Sequence, residues 1–363
     1  MKEPRRKFLQ KTGLALAASS VFSPNVLLSA TIQTKKKLGV ALVGLGYYSK
    51  DLLAPALQLT KNCELRGIVT GSPEKIPEWQ QKYGIKDKNI YDYKNYDKIA
   101  NNKDIDVIYV VLPPSMHAEY TIRGANTGKH IWCEKPMAPS VKDCEAMINA
   151  CEKNNVTLAI GYRCQHDPNI QAYMQAAKDQ RFGKVKLITS AAGYVEGRTT
   201  HWKQKKSMGG GVMGDMGVYA IQGARLATGE EPVRVHARTS TTRPEIYHEV
   251  EETALFHLEF PSGALAACHT SFGINMNYLQ VNYEKGWVKM DPHSAYRGNK
   301  GSMSDNTIID FPIENQQAKQ MDEDAYAIMN NKPLIAPGAE GLKDIRVVEA
   351  VYEAAAKGCG VSL

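Results

Sequence analysis

Residues 38–49 read LGVALVGLGYYS, and this stretch decides the fold. The first six of them are apolar, as a parallel strand covered on both faces requires. The run ends in Gly44-Leu45-Gly46, and residues 47–60 then read as a helix. Glycines at such a turn let a pyrophosphate approach bare backbone, and the helix N-terminus offers it unpaired N–H groups. Ser49 stands where the third glycine of a dinucleotide motif is expected, so an ordinary Gly-rich turn is the alternative.

The end of the second predicted strand, residues 64–70, indicates which dinucleotide is bound. An NAD site needs an acidic residue there to accept from the ribose 2′-hydroxyl. This chain instead has Thr70-Gly71-Ser72, followed by Lys75. Hydroxyl donors and a positive charge, with no carboxylate at the strand tip, suit a 2′-phosphate. The sequence therefore predicts NADP as the cofactor.

Strands and helices alternate through residues 38–160, which is typical of a doubly wound parallel sheet. Three of the strand ends carry the triplets GLG, EKP and GYR, beginning at Gly44, Glu134 and Gly161. Because the ends of parallel strands collect functional loops, we expect these triplets to meet at one edge of the sheet. The sequence thus predicts an α/β fold that begins with an NADP-binding Rossmann domain over residues 38–160.

From residue 184 the pattern changes to serial strands joined by short turns, which is typical of antiparallel pairing. Several outward positions in these strands are Thr, Ser, Asn and Gln, a neutral surface that suits a partner interface. We predict a substrate and oligomerisation domain over residues 161–340 and a homodimer or homotetramer. A C-terminal helix in residues 341–363 is expected to pack back on the first domain.

The first thirty residues read as a twin-arginine (Tat) signal peptide. Arg5-Arg6 lies in a basic start, followed by a short apolar run and a small-residue end at Ala30. This predicts export by the Tat machinery to the periplasm, with a linker at residues 31–37; a basic tail is the alternative. Much of the formal net charge of +7 lies in this segment. The remainder lacks the basic excess of nucleic-acid-binding proteins.

The seven cysteines show no C-x-x-C motif and no paired spacing. We therefore expect no metal site built from them. A Tat substrate folds in the reducing cytoplasm before export, so unpaired and mostly buried thiols fit this reading.

Longer motifs stand along the chain: GLGYYS, VTGSPEK, VLPPSMHAEY, GKHIWCEKPM, IGYRCQHDP and GGGVMGDMGVYAIQGAR. From residue 38 to the C-terminus the sequence resembles the Gfo/Idh/MocA oxidoreductases, and among them it is most similar to the periplasmic glucose–fructose oxidoreductases. The resemblance implies a Rossmann domain followed by an α+β domain with a large, mostly antiparallel open sheet that mediates subunit pairing. It implies that Lys135 reaches the substrate beside the nicotinamide and that Asp215 and Tyr219 complete the catalytic group. Thr70 and Lys75 match the family's 2′-phosphate contacts.

The spacing of Asp215 and Tyr219 supports the same group independently. Residues 209–228 read as a helix, in which positions i and i+4 share a face. Hydride transfer from a carbinol needs a group that accepts the hydroxyl proton. A phenol can be that acceptor only if a nearby cation stabilises its phenolate. We therefore assign Tyr219 as the acid/base, Lys135 as its electrostatic partner and hydroxyl ligand, and Asp215 as a positioning group. Lys135 itself as the base is the alternative.

The predicted site residues fall into two sets, and no metal is expected. The substrate contacts are Lys135, Tyr162, Arg163, His201, Trp202, Asp215 and Tyr219, with His166 a further candidate for the same cleft. The cofactor contacts are Gly44, Gly46, Tyr47, Tyr48, Thr70, Gly71, Ser72, Lys75, Leu112, Pro113, His117, Glu134, Lys135 and Arg163.

Export constrains the expected function, because free NADP is a cytoplasmic metabolite. The redox cycle should then close within the site, with one sugar oxidised and a second reduced by the retained cofactor. An aldose would become a lactone and a ketose an alditol, in ping-pong fashion. The alternatives are a redox-neutral NAD(P)-dependent glycosidase or lyase and a simple NADP-dependent sugar dehydrogenase. Only residues 31–37 stand where the glucose–fructose oxidoreductases carry a cofactor-holding arm.

Overall fold

A computed structural model describes residues 37–363, so the predicted signal peptide and most of the linker lie outside the described residues. The first sheet has six parallel strands in the order β3-β2-β1-β4-β5-β6. The central strand β1 pairs with β2 on one side and β4 on the other, so all strands end at one edge. The strands are β1 (Leu38–Val43), β2 (Cys63–Val69), β3 (Ile90–Tyr91), β4 (Val107–Val110), β5 (His130–Cys133) and β6 (Leu158–Ile160).

Helices cover both faces of this sheet, because its strands are apolar on both sides. The glycine turn leads into a π-helical turn, Tyr48–Leu53, and the short helix α1 (Ala54–Leu57), where the sequence predicts one helix over 47–60. The remaining helices of this part are α2 (Ile76–Tyr83), α3 (His117–Asn126) and α4 (Val141–Lys153).

The second sheet contains nine strands in the order β14-β13-β12-β11-β7-β10-β9-β8-β15. All its pairs are antiparallel except β7 with β10, which run parallel. The predicted combination of a Rossmann sheet and a mostly antiparallel sheet is confirmed. The strands are β7 (Val185–Gly193), β8 (Arg234–Ser240), β9 (Thr253–Glu259), β10 (Leu265–Ser271), β11 (Met276–Tyr283), β12 (Trp287–Met290), β13 (Gly301–Met303), β14 (Ile308–Ile309) and β15 (Val361–Ser362).

One face of the second sheet packs on α6 (Val218–Thr228), against which α5 (Pro168–Lys178) lies, and the other carries exposed side chains. Along β9, for example, Ala254, Phe256 and Leu258 are buried. Leu255, which lies between the first two of them, points to the other face and is half-exposed. This exposed face therefore carries apolar groups as well as the predicted neutral polar ones. Its large apolar members include Leu187, Leu255, Leu265 and Trp287.

Two later helices join the parts of the molecule. On α7 (Gln316–Met329), Met321 packs among the core residues Val40 and Leu42 of β1. The last helix, α8 (Gly338–Lys357), contacts α4 and β6 of the first part and also α6 and β8 of the second. Both helices follow β14 in sequence and precede β15, the last strand of the second sheet, yet each packs on the Rossmann part.

The helix that carries Asp215 and Tyr219 begins later than its predicted start at residue 209. Gly209 and Gly211 have φ of +75° and +106°, which a right-handed helix excludes. A π-helical turn, Met213–Gly217, therefore comes first, and α6 continues from it to Thr228.

Within residues 37–363 there is no helix that is long and apolar enough to cross a membrane. The same part of the chain holds no cluster of three or more His, Cys, Asp or Glu residues suited to a metal ion. All seven cysteines are unpaired, and only Cys359 among them is exposed.

Candidate active site

The glycine turn after β1 forms one wall of the candidate cofactor site. Gly44 has φ of +91°, and a Cβ there would lie 2.4 Å from a neighbouring backbone oxygen, so only glycine fits. A Cβ at Gly46 would meet nothing within 4 Å. The hydroxyl of Ser49, which replaces the third glycine, donates to the carbonyl of Gly44 at 2.6 Å. The turn thus leaves open backbone beside Tyr47 and Tyr48, where the helical segment begins.

The end of β2 gathers hydroxyl groups and an ammonium. The Lys75 Nζ donates to the carbonyl of Leu45 at 3.1 Å, which brings its charge to the glycine turn. The backbone N–H of Ser72 donates to the Thr70 hydroxyl at 3.0 Å and closes the turn that includes Gly71. This donor set fits the 2′-phosphate of NADP, since phosphate oxygens favour charged and hydroxyl donors.

His117 ties together two of the loops at this edge. Its Nδ1 lies 2.9 Å from the carbonyl oxygen of Pro136, and its Nε2 lies 2.7 Å from that of Leu112. The ring is buried, and burial lowers the pKa of His117. Both ring nitrogens therefore lie against the loops that carry Pro113 and Lys135, and the neutral ring donates its one N–H to one of the two carbonyls. The predicted cofactor contact His117 thus braces the cofactor loops from within the protein.

Glu134 is a buried carboxyl directly before Lys135. Tyr109 donates its hydroxyl to Oε1 at 2.6 Å, and the backbone N–H of Lys135 donates to Oε2 at 3.2 Å. Gln320 on α7 donates in turn to the Tyr109 hydroxyl at 3.3 Å. Burial raises the pKa of Glu134 to about 7, although Tyr109 and Lys135 oppose the rise. This carboxyl can therefore change its protonation state near neutral pH.

Asp215 lies between two lysines. Lys135 Nζ donates to Asp215 Oδ1 at 3.1 Å and to its backbone oxygen at 2.7 Å, while Lys203 Nζ lies 2.5 Å from Oδ2. Tyr194 also reaches Oδ2 at 3.3 Å. Burial alone would raise the pKa of Asp215, but Lys203 and Lys135 outweigh it and hold this pKa well below its usual range. The carboxylate stays ionised and fixes both ammonium groups.

Lys135 also lies against the phenol ring of Tyr219, with Nζ 4.8 Å from the ring centroid. Burial would lower the pKa of Lys135, but Tyr219 and Asp215 outweigh it and hold this pKa above its ordinary value. The lysine is therefore a cation. At the phenol oxygen the donor is a different residue, because Arg163 Nη2 lies 3.2 Å from the Tyr219 hydroxyl. Lys135, Asp215 and Tyr219 are brought together as the sequence predicts.

Two further tyrosines enclose this group. The Arg163 guanidinium lies 4.4 Å from the ring centroid of Tyr296, which in turn is 6.1 Å from the ring of Tyr48. Tyr48 follows the glycine turn, so these contacts connect the cofactor wall with the Lys135 group. Tyr296 is 43% exposed, and the partial burial of its ring, together with Tyr219, raises its pKa above the ordinary value.

The loop before the Asp215 helix holds the other predicted substrate contacts. Arg198 pairs with Glu196, its Nε lying 2.8 Å from Oε1, and also donates to His201 Nε2 at 3.1 Å. Burial, Arg198 and Lys203 all lower the pKa of His201, so its ring is neutral at pH 7. Trp202 lies beside His201, with 5.5 Å between ring centroids. The loop cations Arg198 and Lys203 are thus both paired with carboxylates.

Two predicted residues lie apart from this group. Tyr162 is 1% exposed, and its hydroxyl faces the buried carboxylate of Asp344, which together with burial raises its pKa. It is thus part of the packing around α8, because the chain turns its side chain inward after β6. His166 is buried as well and pairs through Nδ1 with Glu323 on α7 at 2.7 Å.

Three further residues belong to the group although the sequence does not predict them: Lys203, Tyr194 and Tyr296. Lys203 is one of three lysines in the loop of residues 195–208, and no spacing distinguishes it from Lys205 and Lys206. Tyr296 lies in an irregular segment with no motif around it. Only the folded path of these loops brings them to Asp215 and Arg163.

The residues at this edge fit a nicotinamide dinucleotide. Open backbone at Gly46 suits the pyrophosphate, Thr70 and Lys75 suit the ribose phosphate, and the Lys135 group lies at the ends of β4 and β5. A ligand at this place follows the rule that open α/β sheets bind beyond the carboxyl ends of their strands. The arrangement can position a substrate hydroxyl, accept its proton and stabilise the negative charge that develops on its oxygen.

Comparison with known proteins agrees with this geometry. Residues 38–162 match the GFO/IDH/MocA model described as an oxidoreductase family with an NAD-binding Rossmann fold, and residues 170–290 match the GFO/IDH/MocA C-terminal domain. A D-xylose 1-dehydrogenase [NADP(+)] of Haloarcula marismortui is 24% identical over 88% of this chain and 92% of its own length.

Solved structures give the same result. The structure of an aldose-aldose oxidoreductase from Caulobacter crescentus, complexed with glycerol, is 38% identical with a TM-score of 0.87, covering 90% of this chain and 100% of that one. A levoglucosan dehydrogenase in complex with NADH and levoglucosan shares the fold, with 20% identity, a TM-score of 0.78 and coverage of 90% and 99%. The chain therefore belongs to the Gfo/Idh/MocA oxidoreductase family.

Proposed function

We propose that this protein is an NADP-dependent sugar oxidoreductase that passes hydride from one sugar to another through a cofactor it retains. The observation that carries the proposal is the group of Lys135, Asp215 and Tyr219 at the carboxyl edge of the Rossmann sheet. Similarity to an aldose-aldose oxidoreductase and to an NADP-dependent xylose dehydrogenase supports sugars as substrates. Thr70 and Lys75 at the end of β2 support NADP over NAD.

Bound NADP supplies the carbon that accepts and returns hydride. The Lys135 ammonium donates a hydrogen bond to the sugar hydroxyl and stabilises negative charge on its oxygen. Tyr219 takes the hydroxyl proton as the carbon loses hydride, and returns it when a second sugar is reduced. The raised pKa of Lys135 favours this assignment over Lys135 as the base, since a base must be deprotonated.

Neutral sugars suit the site better than acidic ones. Arg198 and Lys203, the cations beside His201 and Trp202, are each paired with a carboxylate of the protein. His201 is neutral because burial and both cations lower its pKa. In this loop a substrate carboxylate would thus meet cations that are already paired, whereas sugar hydroxyls find donors and acceptors. We therefore propose aldoses as donors.

The second sugar is either a ketose, reduced to an alditol, or another aldose. The resemblance to the glucose–fructose oxidoreductases favours the ketose, and similarity to the aldose-aldose oxidoreductase favours the aldose. The proposed setting is the periplasm after Tat export, where a retained cofactor must be recycled within the site. We also propose a homodimer or homotetramer that buries the exposed face of the second sheet, including Leu255 and Trp287.

The first test is to denature the protein as purified and identify any released nucleotide by absorbance and mass. Bound NADP is expected, and an empty site that needs added cofactor would contradict retention. The protein is then incubated with glucose alone, with glucose plus fructose, and with a panel of glycosides. Lactone with an alditol supports the proposal, whereas released aglycone would indicate a redox-neutral glycosidase. Tyr219→Phe is the matched control, because it keeps the ring and removes the hydroxyl.

A further inference from the structure

Arg163 is a buried cation whose hydrogen bonds are directed mostly at neutral groups. It begins the helical turn after β6 and is 3% exposed. Its guanidinium donates to the backbone oxygens of Ser294 at 2.8 Å and Ala295 at 2.9 Å, and to the side-chain oxygen of Gln316. Its Nη1 also lies 3.3 Å from the sulfur of Cys164, and its Nη2 lies 3.2 Å from the Tyr219 hydroxyl. The contacts to Ser294, Ala295, Gln316 and Cys164 therefore fix the guanidinium at the phenol oxygen.

Within residues 37–363, no carboxylate forms an ion pair with Arg163. The two neighbouring lysines differ from it, because Lys135 and Lys203 share Asp215. A buried charge without a counterion is costly. The pKa of Arg163 nevertheless stays above its ordinary value, because Cys164 and the phenols of Tyr219, Tyr48 and Tyr296 outweigh its burial. Two groups that could carry a compensating negative charge lie against the guanidinium, the Tyr219 hydroxyl at 3.2 Å and the Cys164 thiol at 3.3 Å. Burial raises the pKa of the Cys164 thiol, which leaves the Tyr219 oxygen as the place for that charge during the reaction.

The groups that face Tyr219 come from five parts of the chain. They are Lys135 after β5, Arg163 after β6, Tyr48 after the glycine turn, Asp215 on its own helix and Tyr296 in the segment before β13. Two of them are cations, and they act at different places. Lys135 lies over the ring and shares Asp215 with Lys203, whereas Arg163, also beside the ring, reaches the oxygen itself.

We infer that Arg163 is a positioning residue: it orients the hydroxyl of Tyr219 and stabilises the Tyr219 phenolate. This inference rests on the proposed role of Tyr219 as the acid/base. A phenol oxygen can accept from Arg163 in both of its protonation states, so the same hydrogen bond holds it before and after proton transfer. During sugar oxidation the hydroxyl proton moves to the Tyr219 oxygen while hydride leaves the carbon. During reduction the proton returns to the substrate oxygen.

The test is a double-mutant cycle that requires no sugar. Urea unfolding is measured for the wild type, Arg163→Met, Tyr219→Phe and the double variant. Arg163→Met should cost less stability in the Tyr219→Phe protein than in the wild type, because the hydroxyl that Arg163 contacts is already absent there. Arg181→Met, which removes an exposed arginine paired with Asp305, is the matched control and should cost the same in both proteins.

Arg163→Lys gives a second comparison if Arg163→Met does not fold, as judged by thermal unfolding. A lysine ammonium is a point charge and cannot hold two carbonyls and the phenol at once, so its coupling to Tyr219→Phe should be smaller. Its kcat should fall with little change in KM, because the phenol that moves the proton is no longer held in place. A folded Arg163→Met or Arg163→Lys protein whose stability cost is the same with and without the Tyr219 hydroxyl would overturn the inference. A rise in KM with kcat unchanged would also overturn it, because it would indicate a role in binding alone.

The cycle also separates this inference from the proposed function. If the two residues are coupled but no sugar is oxidised, the link between Arg163 and Tyr219 stands and the proposed substrate is wrong. If sugars are oxidised and the two residues are uncoupled, the function stands and Arg163 has another role.

Discussion

Replacing Asp215 by asparagine would remove the one carboxylate that Lys135 and Lys203 share. The three side chains are at most 15% exposed, and the two ammonium groups lie 3.1 and 2.5 Å from its oxygens. Removing one partner of a buried ion pair costs about 3–5 kcal/mol. The amide oxygen of asparagine can still accept one hydrogen bond, so we expect a loss near the lower end, about 3 kcal/mol at pH 7.

The loss should depend on pH in a defined direction. The pKa of Asp215 is lower in the folded protein than in the unfolded chain, so its stabilisation is complete above the unfolded pKa of about 4. It disappears as pH falls through the lower folded pKa. The difference in unfolding free energy between the wild type and Asp215→Asn should therefore shrink below about pH 4.

Lys203→Met is the matched control, because it leaves one lysine paired with one carboxylate. We expect it to cost less stability than Asp215→Asn. Urea unfolding of both variants at neutral and acid pH measures the difference. In thermal unfolding each kcal/mol corresponds to about 1.5 °C in Tm for a chain of this length, so Asp215→Asn should lower Tm by about 4–5 °C. If Asp215→Asn were no less stable than Lys203→Met, or if its loss were independent of pH, the shared-carboxylate argument would fail.

Three further outcomes are expected. Tyr219→Phe should lower kcat for sugar oxidation by about 10²–10⁴-fold with little change in KM, because proton transfer is lost and binding is not; an unchanged kcat would rule out the acid/base role. Lys75→Glu should raise KM for NADP at least about tenfold relative to NAD, since it places negative charge at the 2′-phosphate; an unaltered ratio of the two KM values would refute the assignment. Burial raises the pKa of Glu134 to about 7, so the folded state binds its proton more tightly and stability falls as pH rises from about 4.5 to 7. Glu134→Gln should remove about 2–3 kcal/mol of that pH dependence in urea unfolding, and a slope identical to the wild type would contradict the raised pKa.

The sequence determined the features that depend on neighbours along the chain. The glycine turn at Gly44 follows from a backbone conformation that only glycine adopts easily, and its place after an apolar strand indicates a dinucleotide site. The alternation of strands and helices fixes a parallel sheet, whose strand ends must meet at one edge. Asp215 and Tyr219 share a helix face because they are four residues apart. All of these are local rules.

Only the tertiary structure decided which charges meet. Arg163 reaches the Tyr219 hydroxyl across 56 positions of sequence, and Lys135 reaches Asp215 across 80. Tyr162, the residue next to Arg163, turns the other way and packs beside Asp344. Such contacts depend on where long loops return to the sheet, which no local pattern specifies. The sequence alone therefore determined that Lys135 and the glycine turn lie at the strand ends, and the fold decided which further groups join them and which of them touch, because electrostatic coupling requires a few ångströms of distance.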